Sequence, residues 1–588
     1  MNNIKHIFSN YLYAIKYVYI LNRGKVVLYV LLSMTSVLEI FINLLSVQTF
    51  VNAFFSLSEQ EALYVYIKKI FIFGGAILII KLLMFIKSIL WNLIYKGISI
   101  KLKSDILLKA GRIKYEYYES YEKSNIIYQV KNKTLQSIIQ CFESCILYIN
   151  SFLLLVIYCF FLSRVNIIIS VVYLAIVVIF SIYSRRVMFT MGDVWSQVNI
   201  LSKKQQYFSE IGHNKNYHQE YVINNLFKYF YKKWEDNYAL EQNKRIEIHK
   251  EGERLNRLSR IILYTPYILM MFIVACQIVL GNFEIGFLIL CMDMFNELIN
   301  TIAEMNQAFT DSIQSSIYID NYKEYENLEE LKKQTYDYSN KIAILLDNVS
   351  YTYPQSKKEV LCNLSFEIKH GEKIAVLGEN GSGKTTLVNI LSKLIEIKEG
   401  NLKICTSNSK NNEKNLLSFI YQDFLHYQMS IKDNIQCGNS DRVLSDEEVI
   451  NIIEKVQLKE HIDTLPYGIH TKLGEINKGT DLSKGQWQRI AIARLLANEN
   501  AEIWILDEPT AYLDPISEIN FYNLVNSLAK NKTVIFISHR LGFAKSADKI
   551  IMLEEGRIIE SGTHELLLSV NGKYSKIYNE QVEYMFGS

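Results

Sequence analysis

The stretch that decides the fold reads Gly378-Glu379-Asn380-Gly381-Ser382-Gly383-Lys384-Thr385-Thr386. It follows a short apolar run, KIAVLG, and opens a run with helical spacing, TTLVNILSKL. Glycines in this pattern let backbone N–H groups turn inward around phosphates, and the N-terminus of the following helix adds partial positive charge. We therefore predict an ATP-binding phosphate loop, in which Lys384 meets the terminal phosphates and the Thr385 hydroxyl ligates Mg²⁺.

A second apolar run, IWILDEP at 503–509, ends in two carboxylates. A buried strand of this kind delivers Asp507 and Glu508 to its carboxyl end, which a parallel sheet brings beside the phosphate loop. Asp507 is predicted to ligate Mg²⁺. Glu508 is predicted to polarise the attacking water, a role that needs a carboxylate next to the γ-phosphate. Together these elements predict an α/β P-loop NTPase domain.

The composition indicates that this domain is only part of the protein. Of 588 residues, 50% are hydrophobic and 21% are charged, which is too apolar for an ordinary soluble enzyme and too charged for a chain wholly within lipid. The net charge of +3 gives no field for nucleic acid, so no nucleic-acid partner is expected. The eight cysteines form no CxxC pair, so neither a zinc site nor a redox dithiol is expected.

The N-terminal half contains apolar runs of the length that crosses a bilayer, about 20 residues each. We predict six membrane-spanning helices, near residues 26–50, 70–94, 144–163, 166–184, 260–281 and 285–306. The two long connections between them are rich in Lys and Arg and look helical, so the positive-inside rule puts them in the cytosol. The expected fold is a membrane α-helical bundle followed by the α/β domain.

This pattern divides the chain into four predicted segments. Residues 1–24 form an interfacial helix on the inner membrane face, because apolar positions recur at helical spacing among Lys and His. Residues 25–320 form the transmembrane domain, 321–340 a charged linker, and 341–580 the ATP-binding domain.

The run LSKGQWQRIAIARLL at 482–496 resembles the signature of ATP-binding-cassette (ABC) proteins. Further motif residues occur in the order typical of that family: Tyr353 in SYTYP, Gln422 in YQD, Asp514 after the Asp-Glu pair, and His539 in FISHR. The likeness covers about 340–580, and the six-span half resembles the membrane part of ABC exporters. The resemblance implies that Tyr353 stacks on adenine, that Gln422 contacts nucleotide and Mg²⁺, that Asp514 belongs to the ATP site, and that His539 holds the γ-phosphate or orients the water.

The family also implies that two half-transporters work together, as a homodimer or with a different half. Each ATP then lies between the phosphate loop of one chain and Ser483, Gly485 and Gln486 of the other. Lys484 stands where the family most often has glycine, which puts the local contact geometry in question. Glu475 matches a segment that touches the membrane-domain loops in exporters.

Acidic residues in the predicted spans are candidates for cargo contact, because charges within a bilayer usually face a cavity or a partner. Asp293, Glu297 and Glu304 share one face of the last span, and Glu39 lies on a polar face of the first. These groups either line an acidic cavity, with Glu39, Asp293 and Glu297 meeting a cationic cargo, or hydrogen-bond between helices.

The GQWQRIAIAR form of the signature is similar to that of exporters of lantibiotics and related small modified peptides. A small, cationic peptide is therefore the expected cargo. Two alternatives remain open: a flippase of lipids or lipid-linked glycans, and an ATP-gated membrane regulator without net transport.

Overall fold

The computed structural model describes residues 2–586 apart from several short gaps. The gaps are 56–59, 166, 169–170, 172–174, 176–178, 180–181, 184–191, 332–335, 355, 409–414, 440, 475–480, 511–512 and 514. The chain divides into two compact units. The first is Met1–Arg112 with Glu122–Leu328, and the second is Ile113–Tyr121 with Glu329–Ser588. A short piece of the N-terminal half thus belongs to the second unit.

The described part of the first unit is helical. Its helices are α1 (Asn2–Leu21), α2 (Arg23–Ser33), α3 (Thr35–Phe55), α4 (Gln60–Ala110), α6 (Tyr121–Val165), α7 (Gly192–His213), α8 (Lys215–Ile223), α9 (Phe227–Val279) and α10 (Ile285–Glu326). The longest, α4 and α9, have 51 and 53 residues. At 1.5 Å per residue these are about 75–80 Å long, far more than the ~30 Å hydrocarbon core of a bilayer. Most described residues of the two long connections lie in these helices, as predicted.

Most of the predicted spans fall in suitable helices. Four stretches of the described chain are long and apolar enough to cross a membrane: Arg23–Phe55, Tyr64–Ala110, Tyr121–Phe161 and Ile285–Glu326. The predicted fifth span contains a shorter apolar stretch, Tyr267–Val279, at the end of α9. The predicted fourth span, 166–184, lies largely outside the described residues.

The N-terminal helix α1 has two contrasting faces. One face packs on the last turns of α10, where Asn10 Nδ2 donates to Ser316 Oγ at 2.6 Å and to Asp320 Oδ1 at 2.9 Å. The other face leaves Phe8 and Leu12 exposed at 62% and 54%. An exposed apolar face on such a helix suits a membrane surface, and the interfacial location of residues 1–24 remains a prediction.

The second unit contains two sheets with helices around them. Its strands are β1 (Asp337–Tyr338), β2 (Ile342–Tyr351), β3 (Leu361–Lys369), β4 (Lys373–Gly378), β5 (Glu399–Thr406), β6 (Leu417–Ile420), β7 (Ile503–Asp507), β8 (Thr533–Ser538), β9 (Lys549–Glu554) and β10 (Arg557–Gly562). Its helices are α5 (Glu116–Glu119), α11 (Lys384–Leu391), α12 (Ile431–Gln436), α13 (Asp446–Lys455), α14 (Lys459–Asp463), α15 (Lys484–Ala497), α16 (Pro515–Leu528), α17 (His564–Ser569) and α18 (Lys573–Phe586).

The larger sheet has strand order β10-β9-β4-β8-β7-β6 and is parallel except for β10. Both faces of its central strands are buried. In β4, Ala375 and Leu377 pack into one apolar cluster, while Ile374 and Val376 pack into another on the opposite face. Burial on both faces explains why KIAVLG and IWILD are continuous apolar runs rather than alternating ones.

The boundary between the units differs in detail from the predicted linker. Helix α10 continues through Glu326, and the division falls after Leu328. The segment 113–121 packs with the rest of the second unit. There, Lys114 Nζ pairs with Glu329 at 2.5 Å and with Glu396 at 3.0 Å, and these two carboxylates raise the pKa of Lys114.

Candidate nucleotide-binding site

Three adjacent parallel strands carry the predicted site residues to one edge of the sheet. Strand β8 lies between β4 and β7, with Leu377 opposite Ser538 and Asp507 opposite Ile537. The phosphate loop follows β4, Glu508 follows β7, and His539 follows β8. Because carboxyl ends of parallel strands meet at the same edge, residues far apart in sequence come together where α/β sheets bind ligands.

The phosphate loop depends on its glycines. A Cβ on Gly378 would lie 2.5 Å from both the Leu553 carbonyl oxygen and Ser382 Oγ. Gly381 and Gly383 have φ of +85° and +102°, a region that favours glycine. Within the described chain, Ser382 Oγ is buried without a hydrogen-bond partner. A buried, unsatisfied hydroxyl in a glycine-lined turn before a helix N-terminus fits a bound phosphate group.

Lys384 is folded into this loop. Its ammonium donates to the carbonyl oxygens of Gly378 at 2.7 Å and Glu379 at 3.0 Å. Burial lowers the pKa of Lys384, and the charges of Glu508 and Asp507 oppose that effect. Lys384 therefore shares its electrostatic environment with both predicted carboxylates. Thr385, the next residue, is exposed at the start of α11.

Asp507 is buried at the end of β7, 6% exposed. Burial first, and then the charge of Glu508, raise its pKa, and with Lys384 opposing them the pKa is about 6. Among the described residues no three His, Cys, Asp or Glu side chains cluster as a metal-binding group. One buried carboxylate is nevertheless a common protein contribution to a Mg²⁺ site, since substrate phosphates and waters complete the octahedron. The residues present therefore fit Mg²⁺ held together with a nucleotide.

Glu508 has an unusual backbone conformation. Its φ is +43°, and its N–H donates to the Ile537 carbonyl at 2.8 Å, so the chain turns sharply as it leaves β7. This turn directs the side chain to His539, whose Nδ1 lies 3.1 Å from Glu508 Oε1. The Glu508 carboxylate is 11% exposed and the imidazole 46% exposed. A carboxylate in contact with an imidazole, next to a buried lysine and aspartate, has the components for activating a water.

Two further predicted residues border this region. Tyr353 lies within hydrogen-bonding distance of Thr386 in the first turn of α11, with 3.2 Å between the hydroxyl oxygens. Its ring meets that of Tyr351 edge to face at 5.1 Å. Gln422 is exposed and lines a cavity of about 290 Å³ together with Lys484, Gln488 and Pro509. Asp514 and Glu475 lie outside the described residues.

The predicted signature residues begin helix α15. The Ser483 side chain accepts from the Gln486 N–H, and the Gln486 side chain accepts in return from the Ser483 N–H. A Cβ on Gly485 would meet no heavy atom of the described residues within 4 Å. These three residues line a separate cavity of about 400 Å³, whose described lining includes no phosphate-loop residue. The signature helix N-terminus is thus capped and accessible.

One contact network around this helix was not predicted. The Trp487 indole N–H donates to Asp481 Oδ1 at 3.1 Å, and the Asp481 carboxylate also accepts from the Leu482 N–H. The imidazole of His426 stacks on the Trp487 ring with centroids 4.3 Å apart. Burial lowers the pKa of His426, which favours its neutral form. The network fixes the turn that precedes Ser483, and Trp487 in the signature was its sequence signal.

A second missed residue is Arg540, next to His539. Its guanidinium donates to the carbonyl oxygens of Thr510 and Leu513, and pairs with Glu518 Oε2 at 2.9 Å. It therefore ties the segment after Glu508 to helix α16. The exposed carboxylate of Glu379 pairs with Lys573 at 2.9 Å, so only the backbone of Glu379 belongs to the phosphate loop.

The predicted cargo residues lie in the first unit. On α10, Asp293 and Glu297 are partly exposed and Asn300 and Glu304 are exposed, while the opposite face packs into an apolar cluster. Glu39 is 13% exposed and forms an ion pair with Lys81 of α4. The α10 carboxylates therefore have an open face, whereas Glu39 makes the interhelical contact that was the alternative to cavity lining.

Comparison with known proteins assigns a part of the second unit to a family. The ABC transporter family profile matches residues 361–511. These residues belong to the ABC transporter family. The chain also has the fold of an ABC exporter. It superposes on the ATP-bound structure of a bacterial Atm1-family ABC exporter with a TM-score of 0.79. The superposition covers 95% of this chain and 98% of that one, at 19% sequence identity. The prediction of an ABC exporter fold is confirmed.

Proteins similar to this chain include transport ATP-binding proteins and lipid flippases. The subtilin transport ATP-binding protein of Bacillus subtilis is 37% identical over 284 residues, 46% of this chain and 45% of that protein. The nisin transport ATP-binding protein of Lactococcus lactis is 29% identical over 79% of each chain. The ATP-dependent lipid A-core flippase of Methylobacillus flagellatus is 39% identical over 41% of each. The subtilin and flippase matches thus span less than half of those relatives.

Proposed function

We propose that this chain is one half of an ATP-driven exporter, a multi-pass membrane protein whose ABC domain hydrolyses ATP in the cytosol. The observation that carries this proposal is the gathering of Lys384, Asp507, Glu508 and His539 at one sheet edge, on a chain with long apolar helices. The ABC family profile and the exporter fold support it.

The site residues take distinct roles in this proposal. The phosphate loop and Lys384 bind the phosphates of ATP, and Tyr353 stacks on adenine. Thr385, Gln422 and Asp507 hold Mg²⁺, which supplies positive charge to the phosphate oxygens when bound. Glu508 accepts a proton from the attacking water, and His539 orients the Glu508 carboxylate through their 3.1 Å contact.

The signature residues act on a second chain. Ser483 and Gly485 begin an accessible helix N-terminus, and their cavity has no described phosphate-loop residue in its lining. A helix N-terminus attracts anions, so these residues complete the ATP site of a partner. The working unit is therefore a dimer, with a homodimer the simplest form because both catalytic residues and the signature serine are present.

The cargo in this proposal is a small peptide with cationic character. Two features support it: the open acidic face of α10 at Asp293 and Glu297, and the similarity to the subtilin and nisin transport proteins. A lipid flippase is the second candidate, because similarity to lipid A-core flippases is comparable over the ATP-binding half.

The experiment is transport into inside-out vesicles that contain the protein. We expect ATP-dependent accumulation of a labelled cationic peptide, reduced when Asp293→Asn and Glu297→Gln are combined while basal ATPase is kept. The matched control is Asn296→Gln with Asn300→Gln on the same helix. Accumulation of a labelled lipid in the opposite leaflet, without peptide uptake, would instead support the flippase. ATP hydrolysis with neither movement would indicate a regulator.

A further inference from the structure

Helix α18 of the second unit contacts the phosphate loop through its first residue, Lys573. The Lys573 ammonium pairs with Glu379 Oε1, on the loop, at 2.9 Å. It also pairs with the carboxylate of Glu554, the last residue of β9. One lysine from the C-terminal end of the chain therefore joins a carboxylate of the phosphate loop to a carboxylate at the edge of the sheet.

The backbone around both carboxylates is fixed at the ATP site. The Glu379 carbonyl oxygen accepts from Lys384 Nζ at 3.0 Å and from the Ser382 N–H at 3.2 Å. The turn that follows Glu554 is bonded to the same loop, because the Gly556 N–H donates to the Ser382 carbonyl at 3.1 Å. The side chains that meet Lys573 thus leave from the backbone that surrounds the predicted phosphate position.

The position of Lys573 is also set by its own backbone. The two carboxylate oxygens of Glu560, on β10, accept from the N–H groups of Lys573 and Tyr574. A carboxylate at a helix N-terminus stabilises the first turn. A Cβ on Gly572 would lie 2.2 Å from Glu560 Oε1, so glycine leaves the room for this contact. The start of α18 is therefore anchored, and the Lys573 side chain reaches Glu379 from a defined point.

This ion pair has an electrostatic consequence for a bound nucleotide. Lys573 lowers the pKa of Glu379, and the carboxylates of Glu554 and Glu379 raise the pKa of Lys573. Glu379 and Lys573 are therefore both charged at neutral pH. The phosphates of ATP are anionic, and a carboxylate on the loop that binds them opposes binding. A lysine ammonium 2.9 Å from that carboxylate offsets the repulsion.

We propose that Lys573 is a positioning residue of the nucleotide site, which holds the Glu379 carboxylate at the side of the phosphate loop and offsets its charge. The inference rests on the proposed binding of ATP to this loop. Helix α18 then contributes to the affinity for ATP and leaves the chemical step to Glu508. A lysine that served only to attach α18 would stabilise the fold without this effect on affinity.

The test compares ATP binding and turnover in the full-length protein in nanodiscs. Equilibrium binding of a fluorescent ATP analogue with Mg²⁺ and steady-state ATPase are measured at low salt. Lys573→Gln should raise Kd and KM about fivefold and leave kcat within about twofold, because the added negative charge acts on nucleotide binding. The loss should shrink at about 1 M salt, where charges more than about 3 Å apart are screened.

A second substitution separates the charge effect from a structural one. Adding Glu379→Gln to Lys573→Gln should restore Kd to within about twofold of the wild type, because the net charge beside the loop returns to its original value. The matched control is Arg442→Gln. Arg442 also joins two carboxylates, Glu448 at 2.7 Å and Glu499 at 3.0 Å, and neither belongs to the phosphate loop.

Three outcomes overturn the assignment. Wild-type affinity in Lys573→Gln would show that the lysine does not act on the site. A loss that Glu379→Gln leaves unrestored would show that Lys573 acts through the fold or touches the nucleotide itself. An equal loss in Arg442→Gln would show a general effect of charge. Each of these in a wild-type protein that binds and hydrolyses ATP overturns this inference alone, whereas a wild type that binds no ATP overturns the proposed function.

Discussion

His539 Nδ1 lies 3.1 Å from Glu508 Oε1, across the ends of the neighbouring strands β8 and β7. The contact exists because Glu508 leaves its strand with φ of +43°, which turns its carboxylate toward β8. Left-handed backbone at a non-glycine residue costs roughly 1–3 kcal/mol and persists where surrounding structure enforces it. Here the Glu508 N–H to Ile537 carbonyl bond at 2.8 Å enforces it.

The imidazole positions the carboxylate, and this gives the first prediction. His539→Ala should lower ATP turnover about 10²-fold while leaving ATP affinity within about threefold, because a misdirected base affects the chemical step more than binding. The measurement pairs steady-state ATPase with equilibrium binding of a fluorescent ATP analogue. The control is His470→Ala, which removes an exposed histidine that also lies 3.1 Å from a carboxylate, that of Asp446. Wild-type turnover in His539→Ala would exclude a catalytic role.

Asp507 gives a pH-dependent prediction. Its pKa is raised to about 6, so the carboxyl is ionised at neutral pH and becomes protonated as the pH falls through about 6. Metal ligands must be deprotonated to bind. MgATP affinity should therefore weaken between about pH 7.5 and about pH 5.5 in the wild type, whereas Asp507→Asn should bind weakly at both values.

The raised pKa of Asp507 also affects the stability of the fold. Because the folded pKa exceeds the unfolded value of about 3.9, ionisation of Asp507 destabilises the unliganded fold progressively as the pH rises from about 4 to about 6. Asp507→Asn should remove this pH-dependent loss of stability, whereas Asp463→Asn on helix α14 should keep it.

The metal-binding role of Asp507 has its own contradicting outcome. A wild-type MgATP affinity that does not change between about pH 7.5 and about pH 5.5 would contradict it.

The sequence predicts those parts of the site whose chemistry lies in a short stretch. Gly381, Gly383 and Lys384 are such a stretch, because the turn and its charge depend on neighbouring residues. Asp507 and Glu508 could be predicted because the four apolar residues before them indicate a buried strand. The contacts between strands are harder to predict from the sequence, because the position of β8 between β4 and β7 depends on the whole sheet.

Other contacts depend on residues distant in the chain and could not be predicted. The segment 113–121 packs with the second unit through Lys114, whose partners Glu329 and Glu396 lie more than 200 residues away. The pairing of Glu39 with Lys81 is similar: spacing shows that Glu39 shares a polar helix face, but only packing selects its partner. Single charged residues carry no signal for such choices.

Trp487 gives the third prediction. Its indole N–H donates to Asp481, which fixes the turn before Ser483. Trp487→Phe should remove this bond at a cost of about 1.5–3 kcal/mol, since the acceptor is charged, and should lower ATPase turnover because the signature is displaced. The control is Trp504→Phe, because the buried Trp504 indole nitrogen has no hydrogen-bond partner among the residues that the structure describes. Turnover and the urea-unfolding midpoint are measured for both, and an equal effect in the two variants would refute the positioning role.

The ion pair of Glu39 and Lys81 gives the fourth prediction and decides between the two interpretations of Glu39. Because the pair joins α3 and α4, Lys81→Met should lower the melting temperature by leaving the partly buried Glu39 carboxylate without this partner, and adding Glu39→Gln should recover much of the loss. Thermal unfolding in nanodiscs measures this coupling. If Glu39 instead contacts cargo, Glu39→Gln should reduce peptide uptake with no such coupling in stability.

The most direct test of the central claim is the effect of Glu508→Gln on the purified full-length protein with MgATP. The substitution keeps the shape of the side chain and removes its proton-accepting carboxylate. The account predicts that ATP still binds with near wild-type affinity, that turnover falls about 10²- to 10⁴-fold, and that a dimer with trapped ATP accumulates on size-exclusion chromatography. Wild-type ATP turnover in Glu508→Gln would contradict the account.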